Sequence, residues 1–185
     1  MMYRDGEEVA VATSRVRYAA NSAFPRHQHD RGEEFLVLDG VFSDERGDFP
    51  RGSYVRNPPG SSHSPFTTQG ATIFVALRQF QQHDNQQVTI DTANANWSPG
   101  AVDGLEVLPL HRHGEEYIAL VRWAPGAEFP RHAHSGGEEI FVLDGVFEDE
   151  FGCYSKGTWL RNPHGSKHQP RTPQGALIYV RTGHL

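Results

Sequence analysis

Cysteine is nearly absent from this sequence of 185 residues, in which Cys153 is the only one. A single cysteine excludes an intrachain disulfide and any zinc site built on cysteine pairs, so a bound metal must use nitrogen and oxygen donors. Lysine is also scarce, with two residues, and the formal net charge is −6. Because the sequence contains no basic block or stripe, we expect no nucleic-acid partner.

Long hydrophobic runs are absent as well. No stretch is apolar over the roughly 20 residues that a bilayer-spanning helix requires. The first nine residues are polar and acidic and lack the basic and then apolar order of a signal peptide. We therefore expect a cytoplasmic protein without a membrane partner.

Helical periodicity is missing from every segment of useful length. Short apolar or alternating segments, separated by glycine and proline about every 8–12 residues, instead predict an all-β barrel or sandwich. Alternation over residues 8–12 and 15–18 predicts one or two strands at the start of the chain. The apolar run Phe35–Leu38 predicts a strand covered on both faces. Asp39-Gly40, which follows it, is typical of a hairpin turn.

An internal repeat is the dominant feature of the sequence. Residues 16–77 align with residues 121–182 without a gap, and roughly 34 of 62 positions are identical. Such self-similarity predicts two copies of one fold. We place the first domain at 1–80, a linker rich in Gln and Asn at 81–96, and the second domain at 97–185.

The region between the copies has its own role in this interpretation. Copy two has a lead-in with no counterpart before copy one, so one strand edge of copy one is left open. Because an unpaired edge is a liability, we expect part of residues 78–110 to cover it. Val88–Ile90 is the strand-like piece of that region.

Each copy contains a pattern typical of a metal site. Two histidines are separated by one residue, a pair of glutamates follows, and a third histidine comes about 30 residues later. Residues i and i+2 of a strand point to the same face, so the paired histidines project together. Either glutamate of each pair is a candidate ligand at this point. Imidazole with carboxylate suits Fe, Mn, Ni, Co, Zn and Cu and does not select among them.

The spacing of these residues resembles the two motifs of the cupin superfamily. Copy two reads Gly126-x5-His132-x-His134-x3-Glu138-x6-Gly145, then Gly157-x5-Pro163-x-Gly165-x2-His168. Copy one has the same spacing from His27 to His63, but Asn21 replaces the leading glycine. Asparagine still tolerates a left-handed backbone. Thr67 and Thr172 replace the asparagine that usually follows the second motif.

Two longer phrases narrow the resemblance. Gly-Glu-Glu-x3-Leu-Asp-Gly-Val-Phe-x-Asp-Glu and Arg-Asn-Pro-x-Gly-Ser-x-His are similar to the cupin-like domain of ChrR-type anti-sigma factors. That domain type resembles acetylacetone-cleaving dioxygenases. The resemblance implies a bicupin, that is, two double-stranded β-helix (jelly-roll) barrels. It implies one divalent metal in each copy, held by His27, His29, Glu33 and His63 and by His132, His134, Glu138 and His168.

The resemblance leaves several functions open. ChrR-like proteins usually bind zinc, which implies a sensory or regulatory protein whose metals are largely structural. The alternative is an Fe(II)-dependent dioxygenase that cleaves a β-diketone-like substrate, and a sugar-binding or small-acid-binding module is a third reading. Manganese and nickel are further candidate metals, and a small-molecule ligand fits each reading. ChrR-type factors also carry a helical N-terminal zinc domain that this sequence lacks, so we expect no sigma-factor partner. Both a monomer and a homodimer are compatible with the duplication.

The second glutamate of each pair has a structural interpretation. If face alternation continues through the apolar run, Glu34 and Glu139 point away from the metal. We expect each to pair with an arginine, Glu34 with Arg26 or Arg56 and Glu139 with Arg131 or Arg161. His111 and His113 form another His-x-His, but no glutamate or third histidine follows at the right distance. We expect these two histidines at the surface.

Overall fold

The computed structural model describes residues 1–7 and 9–185, and no residue of these ranges lies in a helix. A membrane-crossing helix is accordingly not found in the described part of the chain. The all-β prediction is confirmed. The chain divides into two compact units, residues 1–95 and 96–185. The strand predicted over residues 8–12 begins at Glu8, outside the described residues, and β2 covers its end.

The first unit contains strands β1 to β11. They are Tyr3–Asp5, Val11–Tyr18, Ser22–Ala23, His27–Gln28, Glu33–Asp44, Gly47–Pro50, Ser53–Asn57, Ser62–His63, Phe66–Thr67, Ala71–Leu77 and Val88–Asp91. The main antiparallel sheet has the order β1-β2-β10-β5-β7-β11, and β5 also pairs with β6 and β9. The short strands β4 and β8 form a separate pair.

The second unit contains strands β12 to β20. They are Ser98–Pro99, Leu105–His113, Glu116–Trp123, His132–Ala133, Glu138–Asp149, Gly152–Ser155, Trp159–Asn162, Lys167–His168 and Ala176–Thr182. Its sheet has the order β12-β13-β14-β20-β16-β17, with β18 also on β16, and β15 pairs with β19. The antiparallel ladder through β20 and β16 repeats that through β10 and β5, as the internal repeat predicts.

The long strands β5 and β16 correct one prediction. A hairpin at Asp39-Gly40 is wrong, because β5 runs through these residues without a turn. The pairing of β5 with β10 shifts register at this point, and Gly40 has a φ of 72°. A bulge with a left-handed glycine bends the strand. Residues before the bend pair with β10 and β7, and those after it pair with β6. The half of β5 before the bend therefore belongs to the main sheet, and the half after the bend pairs with β6.

The bend at Gly145 in the second unit leads to a stability prediction. Its φ is 72°, and a Cβ atom there would lie 2.1 Å from the backbone oxygen of Gly175. We expect Gly145→Ala to lower the free energy of unfolding by about 2–5 kcal/mol, because backbone strain and overpacking add. Gly126→Ala is the control, since its φ is 80° and nothing lies within 4 Å of the added atom. Urea unfolding measures both, and equal losses would contradict the argument.

Apolar side chains fill the interior of each unit. Phe35, Leu36 and Val37 are buried, which confirms that the first apolar run is covered on both faces. In the first unit the rings of Phe35 and Phe42 pack edge to face. The corresponding cluster of the second unit contains Ile140, Val142 and Phe147.

Part of the region between the copies does cover a strand edge. Strand β11 pairs antiparallel with β7, with Val88 opposite Arg56 and Asp91 opposite Ser53. The edge of β7 therefore has a partner strand. The predicted edge is a different one, because the lead-in strand β13 pairs with β14, and β14 corresponds to β2 in the first unit. That edge of β2 is paired with β1 rather than with residues 78–110.

His111 departs from its prediction, because it is 6% exposed and not a surface residue. The pairing of β13 with β14 shifts register between Pro109 and His111. This irregularity interrupts face alternation, so Leu110 and His111 are buried in succession.

Candidate metal centres

Three elements of the second unit converge on one point. His132 lies opposite His168 in the β15–β19 pair, His134 follows β15, and Glu138 begins β16. One donor atom from each of these four residues lies within 4.8 Å of the others. The Oε2 atom of Glu138 is 3.3 Å from His134 Nε2 and 3.5 Å from His168 Nε2. The four predicted residues of copy two therefore form one cluster.

The first unit repeats this arrangement on β4, β8 and β5. His27 lies opposite His63, and donor atoms of His27, His29 and His63 lie within 4.8 Å of one another. Glu33 Oε2 is 3.4 Å from His29 Nε2 and 3.6 Å from His63 Nε2. His27 is exposed, whereas the other three side chains are buried.

The buried imidazoles have the hydrogen-bonding pattern of metal ligands. Within the described residues, the Nε2 atoms of His29, His63, His134 and His168 are buried and have no hydrogen-bond partner. A buried polar atom without a partner costs free energy, so four of them aimed at two points require an explanation. A divalent cation between these nitrogens and the glutamate would supply it. The residues present therefore fit a metal.

The opposite ring nitrogens are held by the protein. Nδ1 of His63 is 3.1 Å from Asp44 Oδ2, and Nδ1 of His168 is 3.2 Å from Asp149 Oδ2. In the same unit, Nδ1 of His132 is 2.9 Å from the backbone oxygen of Pro130. When Nδ1–H donates to an oxygen, the Nε2 lone pair faces the centre of the cluster.

Four residues that orient the candidate ligands were not predicted from the sequence. Asp44 and Asp149 hold the third histidines, while Asn57 donates to Glu33 at 3.0 Å and Asn162 donates to Glu138 at 2.9 Å. All four lie in phrases that both copies share. Identity between the copies was the signal that could have identified them.

The second glutamate of each copy pairs with one of the two arginines that the sequence analysis offered for it. Glu34 forms a short ion pair with Arg56, whose other amino group is 2.6 Å from Asp84. Glu139 lies 3.6 Å from both Arg161 and His184. Arg56 is fully buried, so its pair belongs to the interior rather than the surface.

The other arginine candidates are wrong. Arg26 pairs with Glu45 and Arg131 pairs with Glu150, because each arginine precedes its histidine strand and lies near the β5–β6 or β16–β17 turn.

Burial shifts the protonation of the second cluster in the absence of metal. It lowers the pKa of His134 to about 4, with the neighbouring His132 and His168 adding to the effect. Burial also lowers the pKa of His168. For Glu138, burial raises the pKa to about 7 and outweighs the hydrogen bond from Asn162. His134 and His168 are thus neutral at pH 7, the form that binds a cation.

These shifts predict how the metal-free protein responds to acid. The pKa values of His29, His134, His168 and His184 lie below the ordinary 6.5, because burial disfavours their charged forms. Unfolding therefore takes up protons below about pH 6.5, and stability falls as the pH falls. The raised pKa of Glu138 acts oppositely, stabilising the fold at low pH and losing that effect as the pH rises through about 7. The effect of this one carboxyl group on the stability is therefore opposite in sign to the effects of the four imidazoles.

We therefore expect the free energy of unfolding of the metal-free protein to fall as the pH is lowered from 6 to 5, because the lowered pKa values of the imidazoles outnumber the one raised carboxyl. Urea unfolding of chelator-treated protein measures this decrease. His184→Gln should reduce it, because His184 lies outside both clusters and contributes one of the four imidazoles. A stability that stays constant from pH 7.5 to 5 would contradict the expectation.

A cavity of about 380 Å³ opens onto the first cluster. This volume lies within the range of small-molecule sites. Its wall combines ligand-type and aromatic side chains, among them His27, His29, His63, Tyr18, Phe24 and Phe42. Arg4, Asp30 and Arg78 also line the cavity, so a small molecule that combines apolar and polar groups matches this lining.

A family model described as the ChrR cupin-like domain matches residues 1–81 and again residues 85–185. No curated protein matches the chain. A protein of Nostoc punctiforme assigned as a dioxygenase has a similar solved structure, with a TM-score of 0.82 and 16% identity over 95% of this chain and 70% of its own.

Two further solved structures are similar. Oxalate decarboxylase of Bacillus subtilis has a TM-score of 0.67 and 15% identity over 94% of this chain and 68% of its own. Salicylate 1,2-dioxygenase of Pseudaminobacter salicylatoxidans has a TM-score of 0.71 and 10% identity over 92% of this chain and 70% of its own. At these identities the likeness concerns the fold, which is the predicted bicupin of two jelly-roll units.

Proposed function

This chain belongs to the ChrR cupin-like domain family, and we propose that it is a zinc-binding bicupin with a sensory or regulatory role. Each unit would hold one cation. The observation that carries this proposal is the set of buried Nε2 atoms without hydrogen-bond partners, grouped around a glutamate in both units. Three histidines and one carboxylate would supply four nitrogen and oxygen donors, the number that structural zinc sites use.

The residues that would hold the cations are His27, His29, Glu33 and His63 in the first unit and His132, His134, Glu138 and His168 in the second. A bound zinc supplies a fixed double positive charge that joins donors from three strands. The protein orients those donors in advance through Asp44 and Asp149. Because separated strands are joined, we infer that metal loading stabilises each unit and that its loss reports on metal supply.

An Fe(II)-dependent dioxygenase acting on a β-diketone-like substrate is the second candidate. The cavity over the first cluster favours it, because its volume and lining suit a small molecule that combines apolar and polar groups beside the imidazoles. In that reading Tyr18, Phe24 and Phe42 would orient the substrate and exclude water.

Metal analysis separates the two candidates. Protein purified without added metal and without chelator is analysed for metals, and oxygen uptake is then measured after Fe(II) loading with a panel of β-diketones. Stoichiometric zinc without oxygen consumption supports the regulatory proposal. Iron with substrate-dependent oxygen uptake would replace it with the dioxygenase. Absence of any bound metal would overturn both.

The orienting carboxylates allow a prediction about affinity. We expect Asp149→Asn to weaken zinc binding at the second site about 10- to 100-fold, because His168 loses a charged acceptor at Nδ1. Asp144→Asn is the control, since Asp144 is exposed and pairs with the exposed Lys156. Competition with a chromophoric chelator measures both proteins. An unchanged affinity in Asp149→Asn would refute the orienting role.

A further inference from the structure

One difference between the two units lies in a tight turn, directly after the aspartate that orients the third histidine. In the first unit, Glu45 and Arg46 connect β5 to β6, with Asp44 paired to Gly47. In the second unit, the same two-residue turn contains Phe151 in place of Arg46. The four candidate ligands and the aspartate and asparagine that orient them recur in both copies, whereas this exchange places a guanidinium beside only one of the two aspartates.

Arg46 contacts both residues that orient the first cluster. Its Nη2 and Nε atoms are 2.5 Å and 3.1 Å from Asp44 Oδ2, and its Nη1 donates to Asn57 Oδ1 at 2.8 Å. Asp44 holds His63, and Asn57 holds Glu33. The Arg46 guanidinium therefore acts on two of the four candidate ligands, on His63 through Asp44 and on Glu33 through Asn57.

In the second unit, the aspartate that orients His168 is held by uncharged groups. Asp149 Oδ1 accepts hydrogen bonds from the backbone nitrogens of Phe151 and Gly152 and from the hydroxyl of Tyr154, at 2.8, 3.1 and 2.9 Å. The Phe151 side chain is 72% exposed. Oδ1 of Asp149 is thus held by uncharged donors, whereas the Arg46 guanidinium offsets the negative charge of Asp44 in the first unit.

We propose that the second unit retains its cation while the first exchanges it, and that Arg46 is the positioning residue that sets the difference. This inference rests on the proposed metal-binding function. Two physical effects act in the same direction. The Arg46 charge repels a divalent cation, and its ion pair with Asp44 weakens the pull of that carboxylate on His63. The expected difference in affinity is on the order of 10- to 100-fold.

The division fits the surroundings of the two clusters. The cavity of about 380 Å³ opens onto the first cluster, and His27 is exposed there. A weakly held cation beside an open cavity can respond to metal supply or to a small ligand. The first unit is then the responsive site, and the second unit is a permanently loaded structural site.

Single-site proteins test this assignment. His168→Ala retains the first site, and His63→Ala retains the second. Each is titrated with Zn²⁺ against a chromophoric chelator at the same pH. We expect zinc to bind the His63→Ala protein 10- to 100-fold more tightly, on the order of other effects of outer-sphere partners.

Exchanging the turn residues then tests Arg46. In the His168→Ala background, Arg46→Phe should tighten zinc binding about tenfold, and Arg46→Lys should restore weak binding because it keeps the charge. In the His63→Ala background, Phe151→Arg should weaken binding by a similar factor. Phe151 is exposed, so this variant keeps the proposal testable if Arg46→Phe folds poorly.

The outcomes separate the inference from the function on which it rests. Equal affinities of the two sites, a tighter first site, or exchanges that leave both affinities unchanged would overturn the assignment to Arg46. Failure of both single-site proteins to bind zinc would overturn the metal-binding proposal itself.

Discussion

His168→Ala should reduce the metal content of the protein from two equivalents to one. His168 is 3% exposed, and its Nε2 has no hydrogen-bond partner within the described residues. Removing it takes away a neutral nitrogen donor that Asp149 orients, so we expect the affinity of the second site to fall by at least about 100-fold. Metal analysis after gel filtration measures the remaining equivalents.

His63→Ala is the matched variant in the first unit, and it should remove the other equivalent alone. His83→Ala is the control, because His83 is exposed and lies outside both clusters. Loss of both metals from either single variant would show that the two sites are not independent. Retention of both would remove these histidines from the ligand set.

Arg56→Met should lower the free energy of unfolding by about 3–5 kcal/mol, the cost of breaking a buried ion pair from one side. Arg56 is fully buried and bridges Glu34 and Asp84, which are 4% and 1% exposed. Its guanidinium also lies over the Phe80 ring, 4.0 Å from the centroid. After the substitution, two buried carboxylates lose their shared cationic partner.

Arg26→Met provides the comparison for a surface pair. Arg26 and Glu45 are 3.2 Å apart, with side chains 65% and 42% exposed, so the expected loss is below about 1 kcal/mol. Urea unfolding of metal-free protein measures both variants at one pH. A loss for Arg56→Met no larger than that for Arg26→Met would contradict the buried-pair account.

Repetition made the two clusters of histidine and glutamate predictable from the sequence. A single His-x-His says little, but His27 and His132 recur with the same following glutamate and distant histidine. Strand geometry then brings each pair to one face, and the structure places all eight predicted residues in two groups. Similarly, the apolar run at Phe35 identified a buried strand because its composition admits no solvated face.

Features that depend on register or on distant partners escaped prediction. Asp39-Gly40 has the composition of a hairpin turn, but the same left-handed glycine serves as a bulge in a continuous strand. His111 is buried because a register shift interrupts alternation, and no local pattern signals that shift. Arg46 escaped for a different reason, because the comparison of the copies emphasises what they share.

The location of bound metal tests the central claim most directly. Crystals of protein purified without chelator, measured for anomalous scattering at the zinc edge, should show two peaks in each chain. We predict one among His27, His29, Glu33 and His63 and one among His132, His134, Glu138 and His168. Crystals in which neither group contains a peak, or in which the peaks lie away from both groups, would contradict the account.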